Sequence, residues 1–167
     1  MFEVKSISRE SVPRALEKAE RYRLLNEPWQ AESICLDVLQ VDPENQQALV
    51  MLLLALTDQF GHGLGDLFKQ AQEAVSRLHS EYERAYYGAI ICERRATVQL
   101  AQEAPGSGVI AYHWLREAMR LYEKAEALRP PGNDDAVLRW NTCVRMLLRH
   151  RHLAPTEERA EAFVMME

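Results

Sequence analysis

The sequence predicts an all-α fold, a stack of seven to eight helices paired as antiparallel hairpins, and three observations predict it. Apolar residues recur at intervals of three and four along most of the chain, and nowhere do apolar and polar residues alternate over more than a few positions, so strand signals are missing. The seven glycines and seven prolines fall almost entirely between the helical stretches. A spaced set of residues also occurs twice: Ala31, Cys35, Val38 and Pro43 share their intervals with Ala118, Tyr122, Ala125 and Pro130, and Ala71, Val75 and Leu78 repeat the opening intervals. A recurring helical register in so short a chain is the signature of stacked hairpins.

Taken in order, the first helix is predicted from about Ser11 to Leu25, with Ser11 as its cap and Pro13 tolerated in the first turn. Asn26 and Glu27 form a turn, and Pro28 opens a second helix that ends near Val41. In the turn Asp42-Pro43-Glu44-Asn45, Pro43 pushes Asp42 away from helical dihedrals and begins a third helix that reaches about Gln59. The glycines at 61, 63 and 65 break the pattern; Asp66 then caps a fourth helix to about Leu78. A long fifth helix runs from Ser80 to about Glu103, and the loop Ala104-Pro105-Gly106-Ser107-Gly108 separates it from a sixth, Val109 to Leu128. Asn133 or Asp134 caps a seventh helix to Arg149, and Thr156 caps a short eighth. Turns this short make neighbouring helices antiparallel.

With 167 residues, 47% of them hydrophobic and 27% charged, the chain suits one ordinary domain with a real core. A net charge of −5 speaks against nucleic acid, because phosphate neutralisation needs concentrated Lys and Arg. The basic tract Arg145, Arg149, His150, Arg151 and His152 is short and suits a helix C-terminus. The longest apolar run, Ala48 to Leu56, is half the roughly 18 residues of a membrane helix, and the first residues carry no signal core. Cys35, Cys92 and Cys143 are odd in number and far apart, which fits neither a disulfide framework nor a zinc site and points to a reducing cytoplasm.

Motifs for chemistry are sparse. The glycines at 61, 63 and 65 follow a helix, not a strand, and lack a Lys-Ser/Thr pair, so they read as a hinge and not a phosphate cradle. Asp58, His62 and Asp66 match no ligand spacing, and His150 and His152 point to nearly opposite sides of a helix. The cysteines sit among apolar neighbours, where free cysteine acts as a small hydrophobe. No Ser-centred elbow or His-Glu-x-x-His occurs. The expectation is a non-enzymatic chain without catalytic residues, metal or cofactor. Glu17, Lys18, Glu20, Arg21 and Arg23 read first as a solvated face with supporting pairs.

These features resemble the tetratricopeptide repeat family, whose unit is a helix pair of about 34 residues. Ala19 and Tyr22 fall where the family has a small residue and an aromatic on a first helix; Ala31 matches its small second-helix residue, and Pro43 its closing proline. Tyr87-Gly88, followed by Ala118, Tyr122, Ala125 and Pro130, is similar to a later repeat. The resemblance covers Ser11 to Leu148, as about three irregular repeats plus a following helix. The alanines are 40 residues apart from Ala31 to Ala71 and 47 from Ala71 to Ala118, with the excess in the glycine loop and the long fifth helix. It implies a right-handed superhelical α-solenoid over residues 11–150, with 151–167 as a capping or docking segment.

The family's first helices line a concave groove that holds a peptide or helix of another protein. Its register puts Leu16, Glu17, Glu20, Arg23 and Leu24 there, then Val50, Met51, Leu54, Thr57 and Asp58. Further along come Tyr82, Tyr86, Ala89 and Glu93, and finally Leu138, Asn141 and Arg145. The spacing of Tyr82 and Tyr86 fits a core stripe as well as a groove. Leu16, Glu20 and Val50 stand where some members carry basic or amide groups that grip a C-terminal carboxylate, which disfavours that mode. The implied function is an adaptor or small chaperone-like protein. The alternative is a structural protein that assembles as a homo-oligomer through Phe163, Val164, Met165 and Met166.

Overall fold

A computed structural model describes residues 1–63 and 65–155. It is all-helical, and among the described residues there is no strand. The helices are α1 (Val12–Leu24), α2 (Pro28–Val41), α3 (Gln46–Asp58), α4 (Gly65–Ser76), α5 (Glu81–Gln102), α6 (Ser107–Leu128) and α7 (Asp135–Arg149), with short 3-10 turns at Arg9–Ser11, Phe60–His62 and Arg151–Leu153. The proposed eighth helix at Thr156 and the patch Phe163 to Met166 lie outside the described residues.

The helix ends follow the predicted punctuation, with informative differences in how they are capped. Pro43 does not begin α3. Asn45 takes an extended conformation there, and its side-chain oxygen accepts from the Ala48 N–H at 2.8 Å while its amide donates to Asp42 at 3.0 Å. Asparagine caps by supplying the acceptor that an orphan N–H lacks. Ser11 occupies the cap position of α1 but does not cap it, because its hydroxyl donates to the Ser8 carbonyl at 2.8 Å. Asp66 lies inside the first turn of α4. At α7, Asn133 accepts from the Asp135 N–H at 3.0 Å and Asp134 makes no side-chain cap.

Each helix packs on its neighbours in sequence, and α1 also touches α3, and α3 touches α5. Ala31, Ala71 and Ala118 are all 0% exposed, so the small residues of the repeated register do sit inside. Their absent side-chain bulk lets neighbouring backbones approach, and Cys35, Val38, Tyr122 and Ala125 fill the space beside them. The proximal core joins α1 to α5 around Leu49, Leu53, Leu56 and Phe60; the distal core joins α5 to α7 around Leu115, Tyr122 and Cys143. Leu54 and Tyr87 border both. A smaller cluster of Val12, Leu16, Val38 and Ala48 closes the amino-terminal end. Leu153 is buried against the first turn of α6, where its Cδ2 lies 2.9 Å from the position a Cβ on Gly108 would occupy.

Candidate functional site

The last turns of α1 and α3 and the second half of α5 converge on a cleft of about 350 Å³. The turn after α1 presents its first wall. Leu25 N–H bonds to Arg21 and Glu27 N–H reaches back to Tyr22 at 2.9 Å, with Asn26 left-handed at φ 60°. Asparagine tolerates that conformation at a helix C-terminus, and Pro28 then starts α2 at once. The result leaves Leu24, which lines the cleft, 81% exposed; Leu25 is 62% exposed and Trp29, in the first turn of α2, 60%. From α3 come Thr57 and Asp58; from α5 come Arg94, Thr97 and Val98.

Asp58 is the electrostatic centre. It accepts from Arg23 Nε at 2.6 Å and from Arg23 Nη2 at 3.4 Å, a two-point pairing that ties α1 to α3. Arg94 approaches the same carboxylate from α5 but stops at 3.9 Å, beyond a hydrogen bond. The hydroxyls of Thr57 and Thr97 are turned to the carbonyls of Leu54 and Glu93 on their own helices. The cleft therefore offers guanidinium donors beside Leu24 and Val98.

Of the residues expected in the groove, the structure brings Arg23, Leu24, Thr57 and Asp58 to this cleft. Glu17 and Glu20 are exposed on α1, while Val50, Met51 and Leu54 are half-buried at the edge of the proximal core. Leu16 is a correction: it is buried with Val12, Val38 and Ala48, because it lies on the face of α1 that packs on α2 and α3. Ala89 and Glu93 are likewise buried and not groove-lining. Asn141 is half-buried, and Leu138 and Arg145 are exposed on α7.

Tyr82 and Tyr86 belong to a different arrangement. Their rings stack 5.8 Å apart with planes 8° from parallel, and Asn133 donates to the Tyr82 hydroxyl at 3.1 Å. Beneath them, buried Glu93 accepts from Tyr122 and from Arg139, the latter at 3.3 Å. Burial and the Glu93 charge push the Tyr122 phenol far up from its usual value, and burial likewise raises Tyr86 and Tyr82. This network joins α5, α6 and α7 through side chains.

The sequence reading missed Arg94, Thr97 and Val98 because its register on α5 was one residue off. Tyr82, Tyr86, Ala89 and Glu93 face α6 and α7, whereas Arg94 and Val98, a step of 100° around the helix, face α3. No signal in the sequence separates Arg94 from Glu93, since the adjacent charges Glu20 and Arg21 on α1 are both exposed. A third cation, Arg95, lies with its guanidinium 4.2 Å from the ring centroids of both Phe68 and Trp114.

All three cysteines are buried and unpaired. Desolvation raises Cys35 and Cys143 to about 12 and Cys92 to about 11, so each stays a thiol at neutral pH. Asp58 turns to Arg23, while His62 and Asp66 are exposed, and among the described residues no three His, Cys, Asp or Glu side chains gather as metal ligands. No helix among the described residues is long and apolar enough to cross a membrane. Comparison of the chain with protein-family models, curated proteins and solved structures finds no match.

Proposed function

We propose that this chain is a non-enzymatic protein-binding module, built as a tetratricopeptide-like right-handed stack of helix hairpins that receives a peptide or helix of another protein. The packing supports that architecture: neighbours in sequence pack together, α1 touches α3 and α3 touches α5, and the alanine of each hairpin is buried. The observation that carries the function is the cleft itself, formed by three alternate helices and lined by exposed Leu24 and half-buried Val98 beside its charged groups. A large apolar side chain left exposed in a concavity marks a surface that another molecule covers. Its groove charges set approach and register more than affinity. With three separated thiols and no disulfide among the described residues, the module works in a reducing cytoplasm.

A photo-crosslinking residue placed at Thr97, exposed in the cleft, tests this in cells, with the same residue at exposed Lys69 on α4 as control. Discrete protein adducts from position 97 and none from 69 are expected. Adducts of the same kind from both positions, or from neither, overturn the reading.

A further inference from the structure

We infer that the cleft selects an acidic partner segment, one whose Asp or Glu side chain is flanked by large apolar residues. The carboxylate sits on Arg94, and the apolar neighbours cover Leu24 and Val98. This rests on the protein-binding reading above and names the partner's chemistry.

The charge count in the cleft is uneven. Its lining holds two guanidiniums, Arg23 and Arg94, and one carboxylate, Asp58. Asp58 is engaged by Arg23 at 2.6 and 3.4 Å, so its acceptor geometry is already set. Arg94, 3.9 Å away, makes no side-chain hydrogen bond among the described residues, and it is 39% exposed towards the open side. The adjacent carboxylate on its own helix, Glu93, is turned inward to Tyr122 and Arg139. Glu32, on the neighbouring α2, is engaged by Gln59 at 2.7 Å. A guanidinium with donors to spare matches a carboxylate in two-point geometry. A second carboxylate would bring the site to two cations and two anions without breaking the Arg23–Asp58 pair.

The surroundings add direction. The chain as a whole carries −5, and Glu17 and Glu20 stand exposed further back on α1. Lys18 and Arg21 stand exposed next to them in sequence, so α1 does not turn an acidic segment away from Arg94. Leu24 and Val98, which line the cleft, then take apolar residues beside the carboxylate.

Random dodecamers displayed on phage, with no free C-terminus, are selected on the full chain and in parallel on Arg94→Glu and on Thr97→Trp, whose indole fills the cleft. Melting curves of both variants confirm folding first. The expected result is enrichment of peptides with Asp or Glu beside Leu, Phe or Trp on the unmodified chain, their loss on Thr97→Trp, and a change to Lys or Arg on Arg94→Glu. A dye-labelled copy of the best peptide should bind Arg94→Gln about tenfold more weakly, equally as its C-terminal acid and its amide, and lose affinity as salt rises. Cleft-dependent peptides without acidic residues, or identical peptides on Arg94→Glu, overturn this inference and leave protein binding standing. A peptide that binds only as its free acid also overturns it, in favour of a terminal carboxylate. No enrichment that depends on Thr97 overturns both.

Discussion

Tyr122 and Glu93 meet inside the distal core: the phenol of α6 donates to the carboxylate of α5 at 2.5 Å, and both side chains are buried. Arg139 of α7 reaches the other carboxylate oxygen at 3.3 Å. One acid thereby holds three helices. Removing a partner from such a group costs more than the bond itself is worth, because the remaining polar atoms stay desolvated. Tyr122→Phe is expected to lower unfolding free energy by about 1–3 kcal/mol. Glu93→Ala should lower it by about 3–5 kcal/mol, towards the lower end because Arg139 is 30% exposed. The double change Glu93→Leu with Arg139→Leu should recover part of that loss. Urea denaturation reads all three; equal midpoints for Glu93→Ala and the unmodified chain would contradict the linking role.

The buried alanines offer a second test. Ala31→Leu and Ala118→Leu each insert bulk where backbones approach, and a loss of about 1–3 kcal/mol is expected for each. Ala127→Leu, on an exposed position of α6, should stay within about 0.5 kcal/mol. Thermal melts distinguish the two classes directly.

Alkaline pH acts on the buried protons. Cys35 and Cys143 are raised from 9.0 to about 12, Cys92 to about 11, and Tyr87 from 10.0 to about 12, in each case mainly by burial. These groups hold their protons more tightly folded than unfolded. Their contribution is therefore complete below pH 9 and is lost as pH climbs from 9 towards 12, by about 1.4 kcal/mol per pH unit for each thiol. Stability should be flat from pH 7 to 9 and fall beyond it. Cys35→Ala with Cys143→Ala should flatten that fall while lowering the plateau; a fall of unchanged steepness would refute the assignment.

The turn between α2 and α3 separates two residues that the sequence treats alike. Asn45→Ala removes the acceptor for the Ala48 N–H and should cost about 1 kcal/mol. Pro43→Ala should cost less, because exposed Pro43 caps nothing and restricts only the unfolded chain. A larger effect at Pro43 in chemical denaturation would reverse this ranking.

How far the sequence carries is visible in particular residues. The boundaries of α2 were readable from Pro28 and Asp42-Pro43, since proline restricts its own and the preceding dihedrals without help from distant residues. Burial of Ala31, Ala71 and Ala118 was readable from periodicity, because a helix displays one face at intervals of three and four. The cleft was only partly readable. Arg23, Leu24, Thr57 and Asp58 were placed through a helical register, but Arg94 was not, since α5 is covered on several sides and its period does not say which neighbour each side chain meets.

By itself, then, the chain's order of residues determined its class of structure, the limits of α2 and its small-residue seams, all of which follow from local dihedrals and helical spacing. Only tertiary packing decided that Glu93 turns inward to Tyr122 and Arg139 while Arg94, the next residue, opens towards Asp58. That choice depends on where α3, α6 and α7 lie around α5, a matter of long-range geometry that no local rule contains.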